Sequence, residues 1–448
     1  MLGPNIGMFR QRTVLDVLRP RTAQEVRDIV AGADGVSFHV FSTGRNWGLG
    51  SREPARDDVV ALDLGALEEI RAVDVEQGWA VVEPGVTQAR LAERLAGTDR
   101  IVNITASSAH TSVVGNILDR GVGLRRPRVD DLIGLEVVLP DGELVHVGWW
   151  PDGGPPYAAG LGPSLLHAFV QSNLGVVTAA VVRLPPRPEA VRVVWLQFAP
   201  HDLSPAVGVL RRWVRQGLAK NSLRVYNPAA SVAYRGRPGE YLVHVCVDGT
   251  ARAVDALSAI VVDDARESGL FTAVWDSGTP DLAEPDRELA RLVDLEYVGE
   301  PDPGDHLLSA KIGHPVEQAD EKAGLVFFLP VVPISGAAVQ RSERLLQRMH
   351  EDTGVRYGAT YFTLDTDLAL AIIALRFERT EEEAERAHRA LDSLYESFAA
   401  AGFTMCRIDV DHAEWADKLG PDAAGRRLVR RIKDLLDPDG VLAPGRYH

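Results

Sequence analysis

Along the first 190 residues, apolar positions at helical spacing alternate with short runs of β-branched and aromatic residues. TAQEVRDIVAGAD opens on Thr22 with Glu25 three residues later, the pattern of a capped helix start. SFHVFSTG reads as a strand running into a turn, VVALDL as a second strand, and EIRAVDVEQGWAVVEPG as a hairpin. TQARLAERLAG is a second capped helix. In LIGLEVVLPDGELVHVG two apolar runs flank Asp141-Gly142, a pair that supplies the positive φ angles of a tight turn, so a hairpin is predicted. PSLLHAFVQSN is predicted helical, and LGVVTAAVVRLPPRP is a strand ended by prolines; PPRP at 185–188 marks a domain boundary.

From about residue 190 the order strand, helix, strand, helix appears twice. VRVVWLQFAP, SPAVGVLRRWVRQG, YLVHVCVDG and AVDALSAIVVDDARESG give the first set. GLVFFLPVV, a helix over 336–353, ATYFTLDTDLALAIIALRF and a helix over 380–402 give the second. Strands with helices on one face predict an antiparallel sheet in a separate substrate domain, and an α+β fold for the whole.

The first chemically informative segment is STGRNWGLGS, residues 42–51, which comes after a predicted strand. Its three glycines let the backbone curl so that several N–H groups converge on a phosphate, and Arg45 adds charge. The loop is neither a GxGxxG fingerprint nor a Walker loop, and a glycine-rich turn alone is more often just a turn. The segments downstream change that weighting. They are VVALDLGALEEIRAVDVEQGWAVVEPGVT, then TSVVGNILDRGVG (111–123), GLEVVLPDGELV and QSNLGVVTAAVVRLPPRP, with DPDGVLAPGRYH closing the chain.

This ordered set resembles the FAD-binding domain of the vanillyl-alcohol oxidase and 4-cresol dehydrogenase flavoproteins. The last segment is similar to their closing Asp-Pro-Asn-Gly-Ile-Leu-Ala-Pro-Gly-Lys, with Arg446 at the lysine position. The resemblance implies a two-subdomain PCMH-type FAD-binding domain over 1–190, an antiparallel-sheet substrate cap over 191–400, and a segment 401–448 that returns to the FAD domain and active site. It places the FAD pyrophosphate against Ser42, Thr43, Gly44, Arg45, Asn46, Trp47, Gly48, Gly50 and Ser51. Ser112, Gly115 and Asn116 would add contacts, Pro84-Gly85 and Gly175-Val176-Val177 would line the adenine half, and Arg446 would complete the set.

Departures from the family pattern shape the expected chemistry. Members with covalent flavin carry histidine or tyrosine just before a Phe-Phe-Ser-Pro-like strand. That strand here is LVFFLP, with Leu325 at the position, so FAD is expected to be held non-covalently. Phenol-oxidising members hold the phenolate with two tyrosines and an arginine. Here Leu49 and Cys406 replace the tyrosines and Arg407 alone is kept, which argues against a para-hydroxybenzylic substrate. The family's aspartate near the flavin falls in LRRPRVDD, two residues shorter, leaving Asp130 or Asp131 as candidates. Arg125, Arg126 and Arg128 stand where the family has aromatic and polar residues. With Arg407 they would grip a carboxylate or phosphate; the alternative is that they pair with Asp119, Asp130 or surface acids. Tyr157 matches a family tyrosine near the flavin ring, and a packing role is its alternative. His314 and His412 are candidate bases, with solvated turn histidines as the alternative. Cys406 beside Arg407 reads either as a thiol of depressed pKa or, with more weight, as an inert buried cysteine.

Composition narrows the partners. The formal net charge is −15, with 48 basic against 63 acidic residues, which disfavours nucleic acid. No stretch approaches the roughly 20 apolar residues of a membrane span, and the N-terminus lacks a signal-peptide pattern. The two cysteines, Cys246 and Cys406, fit a reducing cytoplasm. No metal-ligand spacing and no Gly-x-Ser-x-Gly elbow occurs. The expectation is an FAD-dependent oxidoreductase that takes hydride from a small organic, anionic, non-phenolic substrate. A flavin-binding protein of the same fold with a lyase-like or partner-subunit role is the alternative, and the resemblance leaves a homodimer open.

Overall fold

Thr22 begins the first helix as its pattern predicts: its Oγ1 accepts from the Glu25 N–H at 3.1 Å, and the helix runs Ala23–Ala31. The Glu25 carboxylate reaches back to the N–H of Arg21, one residue beyond the capping residue itself. In the computed structural model all residues are described except Met1, Ser51, Asp152, Gly153, Pro303, Pro421 and His448, so Ser51 of the expected phosphate loop lies outside the described residues.

This helix buries Val26 and Val30 against a three-stranded parallel sheet ordered Val14–Leu18, Val59–Asp63, Phe38–Phe41. A five-stranded antiparallel sheet comes next, ordered Ile70–Asp74, Trp79–Val82, Val176–Arg183, Leu132–Val138, Leu144–Gly148. Every residue of Leu132–Val138 is buried, because both faces of this strand are covered.

Two local expectations need correction. The 139–142 turn places only Gly142 at positive φ (+85°); Gly142 donates to Leu139 and Leu139 donates to Glu143. Asp141 therefore sits in a turn begun by Leu139-Pro140 and is not in the left-handed region. PSLLHAFVQSN forms only the short 3₁₀ turn Leu166–Phe169. Gln171 adopts φ +48°, which ends helical winding, and is held there by a backbone bond to Leu118 and a side-chain bond to the Cys406 carbonyl.

Residues from 190 onward build an eight-stranded sheet in which every pair is antiparallel. Its order is Ala273–Asp276, Ala190–Phe198, Tyr241–Gly249, Arg224–Tyr226, Arg356–Thr363, Leu368–Phe377, Gly324–Pro333, Thr404–Arg407. Alternation along each strand divides its side chains between two cores. Val194, Leu196 and Phe198 pack beneath the helices Leu203–Arg215, Ala251–Ser268, Gly336–Thr353 and Glu381–Ala400. Val193 and Trp195 belong to the opposite core, shared with Leu49, Val114 and Leu135 of the N-terminal half. Among the described residues, no helix is long and apolar enough to cross a membrane.

The closing motif is a built turn. Asp437 accepts from the N–H groups of Val441 and Leu442 at 2.7 and 2.9 Å, and Lys433 donates to the carbonyls of Asn173 and Leu442. Leu442 then pairs with Phe38 beside the three-stranded sheet. Before that turn, the segment after Thr404–Arg407 is fixed by His412, a candidate base that instead lies buried between two carboxylates, one of them exposed. Its Nδ1 is 2.9 Å from Asp409 and its Nε2 2.8 Å from Asp392, while Tyr395 donates to Asp409 at 3.0 Å. Both ring nitrogens face carboxylates, so both carry protons. Burial opposes that charge, but the two aspartates prevail and raise the pKa to about 9.

The imidazolium is the form bound in the folded state. Its contribution is complete below the ordinary histidine value of about 6.5 and is lost as pH rises toward 9, an effect on the order of 3 kcal/mol. His412→Gln is expected to flatten the fall in denaturant-derived stability between pH 6.5 and 9; an unchanged slope would refute the assignment.

Candidate active site

Between the two halves lies a cavity of about 400 Å³. Its N-terminal wall begins with the 42–50 loop, where Gly44, Gly48 and Gly50 adopt φ of +68°, +76° and +64°. No described residue accepts a hydrogen bond from the backbone N–H groups of Thr43, Gly44, Arg45, Asn46 or Trp47. A run of open N–H groups on a cavity wall is the donor set that an anionic group requires. Behind it, Ser112 Oγ donates to the Pro84 carbonyl at 2.6 Å and accepts from Gly115 N–H, joining two more lining segments. A Cβ on Gly115 would stand 2.5 Å from Ser42 Oγ, and Asn116 Oδ1 is buried without a partner among the described residues. The chemistry and shape of this wall fit the pyrophosphate-bearing group that the sequence implies.

Ser42, Thr43, Gly44, Arg45, Asn46, Trp47, Pro84, Ser112, Gly115, Asn116, Gly175, Val177 and Arg446 all line the cavity. Gly48, Gly50, Gly85 and Val176 are not among the lining residues, and packing explains the three glycines. A Cβ on Gly85 would meet the Gly65 carbonyl at 2.3 Å, one on Gly48 the Phe327 ring at 2.6 Å, and one on Gly50 the Val410 side chain at 2.5 Å.

The far wall comes from the cap sheet. Leu325, Phe327 and Leu329 alternate onto it from Gly324–Pro333, and Leu49 closes against them, 2% exposed. Arg407 enters from the sheet's edge strand. Its Nη1 lies 3.4 Å from Asn46 Oδ1 and 3.6 Å from Asp119, and its Nε is buried with no acceptor among the described residues. Asn46 also donates to Asp119, and Tyr447 donates to the other Asp119 oxygen at 3.1 Å. Cys406, one residue earlier, is not among the lining residues; burial pushes its thiol pKa up in spite of Arg407.

The arginine cluster and its aspartates are brought together, but away from the cavity. Arg125 pairs with Asp248 and donates to the Tyr297 carbonyl, and Arg126 binds Asp131 at 2.6 Å. Arg128 is 2% exposed with Asp131 at 3.7 Å, and Asn103 donates to the same carboxylate at 2.7 Å. Asp131 is thus a buried counterion, and Asp130 lies beside it in the same 3₁₀ turn. The pairing alternative describes this cluster. Tyr157 is 64% exposed, and neither it, Asp130, His314 nor His412 lines the cavity. Residues that the sequence reading missed do line it: Tyr226, Lys311 and Arg376 from the cap. Their signal was local. Leu308, Lys311 and Ile312 share one helical face, and Leu370, Ile372, Ala374 and Arg376 share one strand face.

Comparison with known proteins agrees with this geometry. The family described as FAD binding domain matches residues 15–148. The chain is 28% identical to 1'-carboxy-chondrochloren decarboxylase of Chondromyces crocatus, over 96% of this chain and 90% of that one. It is 25% identical to the 4-cresol dehydrogenase flavoprotein subunit of Pseudomonas putida, over 95% and 86%. A crystal structure of p-cresol methylhydroxylase with substrate bound superposes with a TM-score of 0.88 at 23% identity, covering 100% of this chain and 91% of that chain. The loop, the two-part N-terminal half and the roofing sheet accord with these likenesses, and the chain carries an FAD binding domain within a PCMH-type fold, similar over nearly its whole length to the 4-cresol dehydrogenase flavoprotein subunit.

Proposed function

We propose that this protein oxidises a small, anionic, non-phenolic organic molecule by hydride transfer to non-covalently held FAD. The observation that carries the reading is Arg407, whose buried Nε has no acceptor among the described residues, standing in the same cavity as the open N–H groups of the 43–47 loop. FAD bound along that loop would supply the hydride acceptor. Residues 1–190 would hold it, 191–400 would roof the substrate, and 401–448 would return Arg407 and Arg446 to the site. Arg407 binds the substrate's anionic group; Asn46 and Asp119 fix the plane of its fork, so the group is presented in one orientation. Leu49, Leu325, Phe327 and Leu329 exclude water, which strengthens that charge interaction. Leu325 offers no nucleophile for a covalent flavin link, and Leu49 and Cys406 put no phenol at the two positions where phenol-oxidising flavoproteins carry tyrosines.

A lyase-like reading is favoured by one finding: a relative aligned over 96% of this chain carries the name of a decarboxylase. The two readings separate under anaerobic conditions. A substrate that bleaches the flavin supports oxidation, whereas turnover with an unchanged oxidised spectrum supports the lyase.

Three outcomes test the proposal. Acid precipitation should release all yellow colour into the supernatant, and colour kept in the pellet would mean a covalent link. Gly115→Ala should lower FAD occupancy in the purified protein, measured as the flavin-to-protein absorbance ratio, because the added methyl displaces Ser42. Arg407→Ala should reduce kcat/KM for a turned-over anionic substrate about 10- to 100-fold, the range for losing a hydrogen bond to a charged group. Unchanged kinetics in that variant would remove Arg407 from the substrate site.

A further inference from the structure

The cavity carries more positive charge than its own acids balance. Arg45, Lys311, Arg376, Arg407 and Arg446 line it, and Asp119 is the one carboxylate among the described lining residues, in a chain of formal net charge −15. Arg45 and Arg446 belong to the segments assigned above to the cofactor, and Arg407 shares Asp119. Lys311 and Arg376 remain, both on the cap.

The helix His306–Ile312 directs Lys311 inward between Leu308 and Ile312. Its ammonium stands 4.9 Å from the centre of the Tyr234 ring, and no described residue forms a hydrogen bond or ion pair with it. The acid that acts on it from a distance, Glu296, is committed to Arg224 at 3.2 Å. Burial holds Lys311 below the ordinary lysine pKa against the pull of Tyr226 and Glu296, and Arg224 and Arg376 push in the same direction as burial. A half-buried ammonium placed among cations and aromatic rings, on a cavity wall, lacks the counterion that such a group normally has. Arg376 is in the same condition. Its cross-strand neighbours are Leu325 and Arg356, and no described acid pairs with it. Tyr226, on the same wall, adds a hydroxyl 3.4 Å from His244 Nδ1. The ammonium and the phenol hydroxyl suit the two oxygens of a carboxylate.

We propose that Lys311, with Tyr226 beside it and Arg376 adding charge, seats a carboxylate of the substrate at the cap end of the cavity, so that the substrate is an organic acid. Arg407 keeps the anionic group proposed above, next to the reacting carbon, so this carboxylate is a second acidic group of the substrate. This inference rests on the oxidoreductase reading only in taking the cavity as the substrate site.

The test uses three probes on the FAD-loaded protein: 3-phenylpropionate, its uncharged amide, and phenyl phosphate. Dissociation constants are read from the flavin absorbance and, independently, from the thermal shift of the protein. The acid should bind about tenfold or more tightly than the amide. Lys311→Met should bring that ratio near one while leaving amide affinity and FAD content as they were, and Lys311→Arg should keep it. Equal binding of acid and amide by the unaltered protein would overturn the proposal, as would a preference that survives Lys311→Met. Tighter binding of phenyl phosphate than of the acid would overturn the carboxylate class. A preference lost in Arg407→Ala but kept in Lys311→Met would place the anion on Arg407, refuting this seat while leaving the proposed oxidation intact. Should the protein refuse FAD, the oxidoreductase reading fails, and the thermal-shift comparison of acid with amide still decides the seat.

Discussion

One carboxylate holds the site in register. Asp119 ends the short helix that begins at Ser112, and it gathers Asn46 from the glycine-rich loop, Arg407 from the cap's edge strand and Tyr447 from the end of the chain. These segments lie far apart in sequence, and each would otherwise bring a polar group into a partly buried space without a partner. Such groups are costly when unpaired, so the arrangement is adopted as a set. The position of Arg407, and with it any ligand orientation that Arg407 dictates, depends on this junction.

Around the junction the architecture divides labour through strand alternation. On the cap sheet, residues facing the helices form an ordinary apolar core, while their neighbours supply a ceiling of mixed chemistry running from Leu329 to Arg376. The N-terminal half contributes backbone more than side chains: open N–H groups in one loop and glycines where a methyl would collide. The N-terminal wall thus offers mainly main chain to the cavity, and the cap wall mainly side chains. The match to the family described as FAD binding domain, residues 15–148, falls in the first region.

The features legible in the sequence were local ones. Thr22, the 132–148 hairpin and the closing motif each carry their own explanation within a few residues, and all three form. The loop glycines were legible too, since left-handed backbone and close approach leave few other choices. The illegible features depended on partners. Arg125, Arg126 and Arg128 read as free cations because Asp248 is over a hundred residues away and the fold of the Arg128–Asp131 turn onto Asn103 leaves no pattern in the sequence. Lys311 escaped notice for the converse reason: a lysine in a short helix looks solvated until the sheet is laid over it. The 163–173 segment reads as a helix by periodicity and is unwound by tertiary bonds at Gln171.

The hydrogen bond from Phe327 N–H to the Gly48 carbonyl, with those from Val410 to Leu49 and from Leu325 to Ile6, stitches cap to base by main chain along one seam. Lifting this seam like a lid would break main-chain hydrogen bonds. A route that keeps them would run by side-chain rotation elsewhere along the cavity rim, where a few long side chains set the rate of exchange. Two proteins of this shape with the same cavity can then differ in how quickly small molecules enter and leave it.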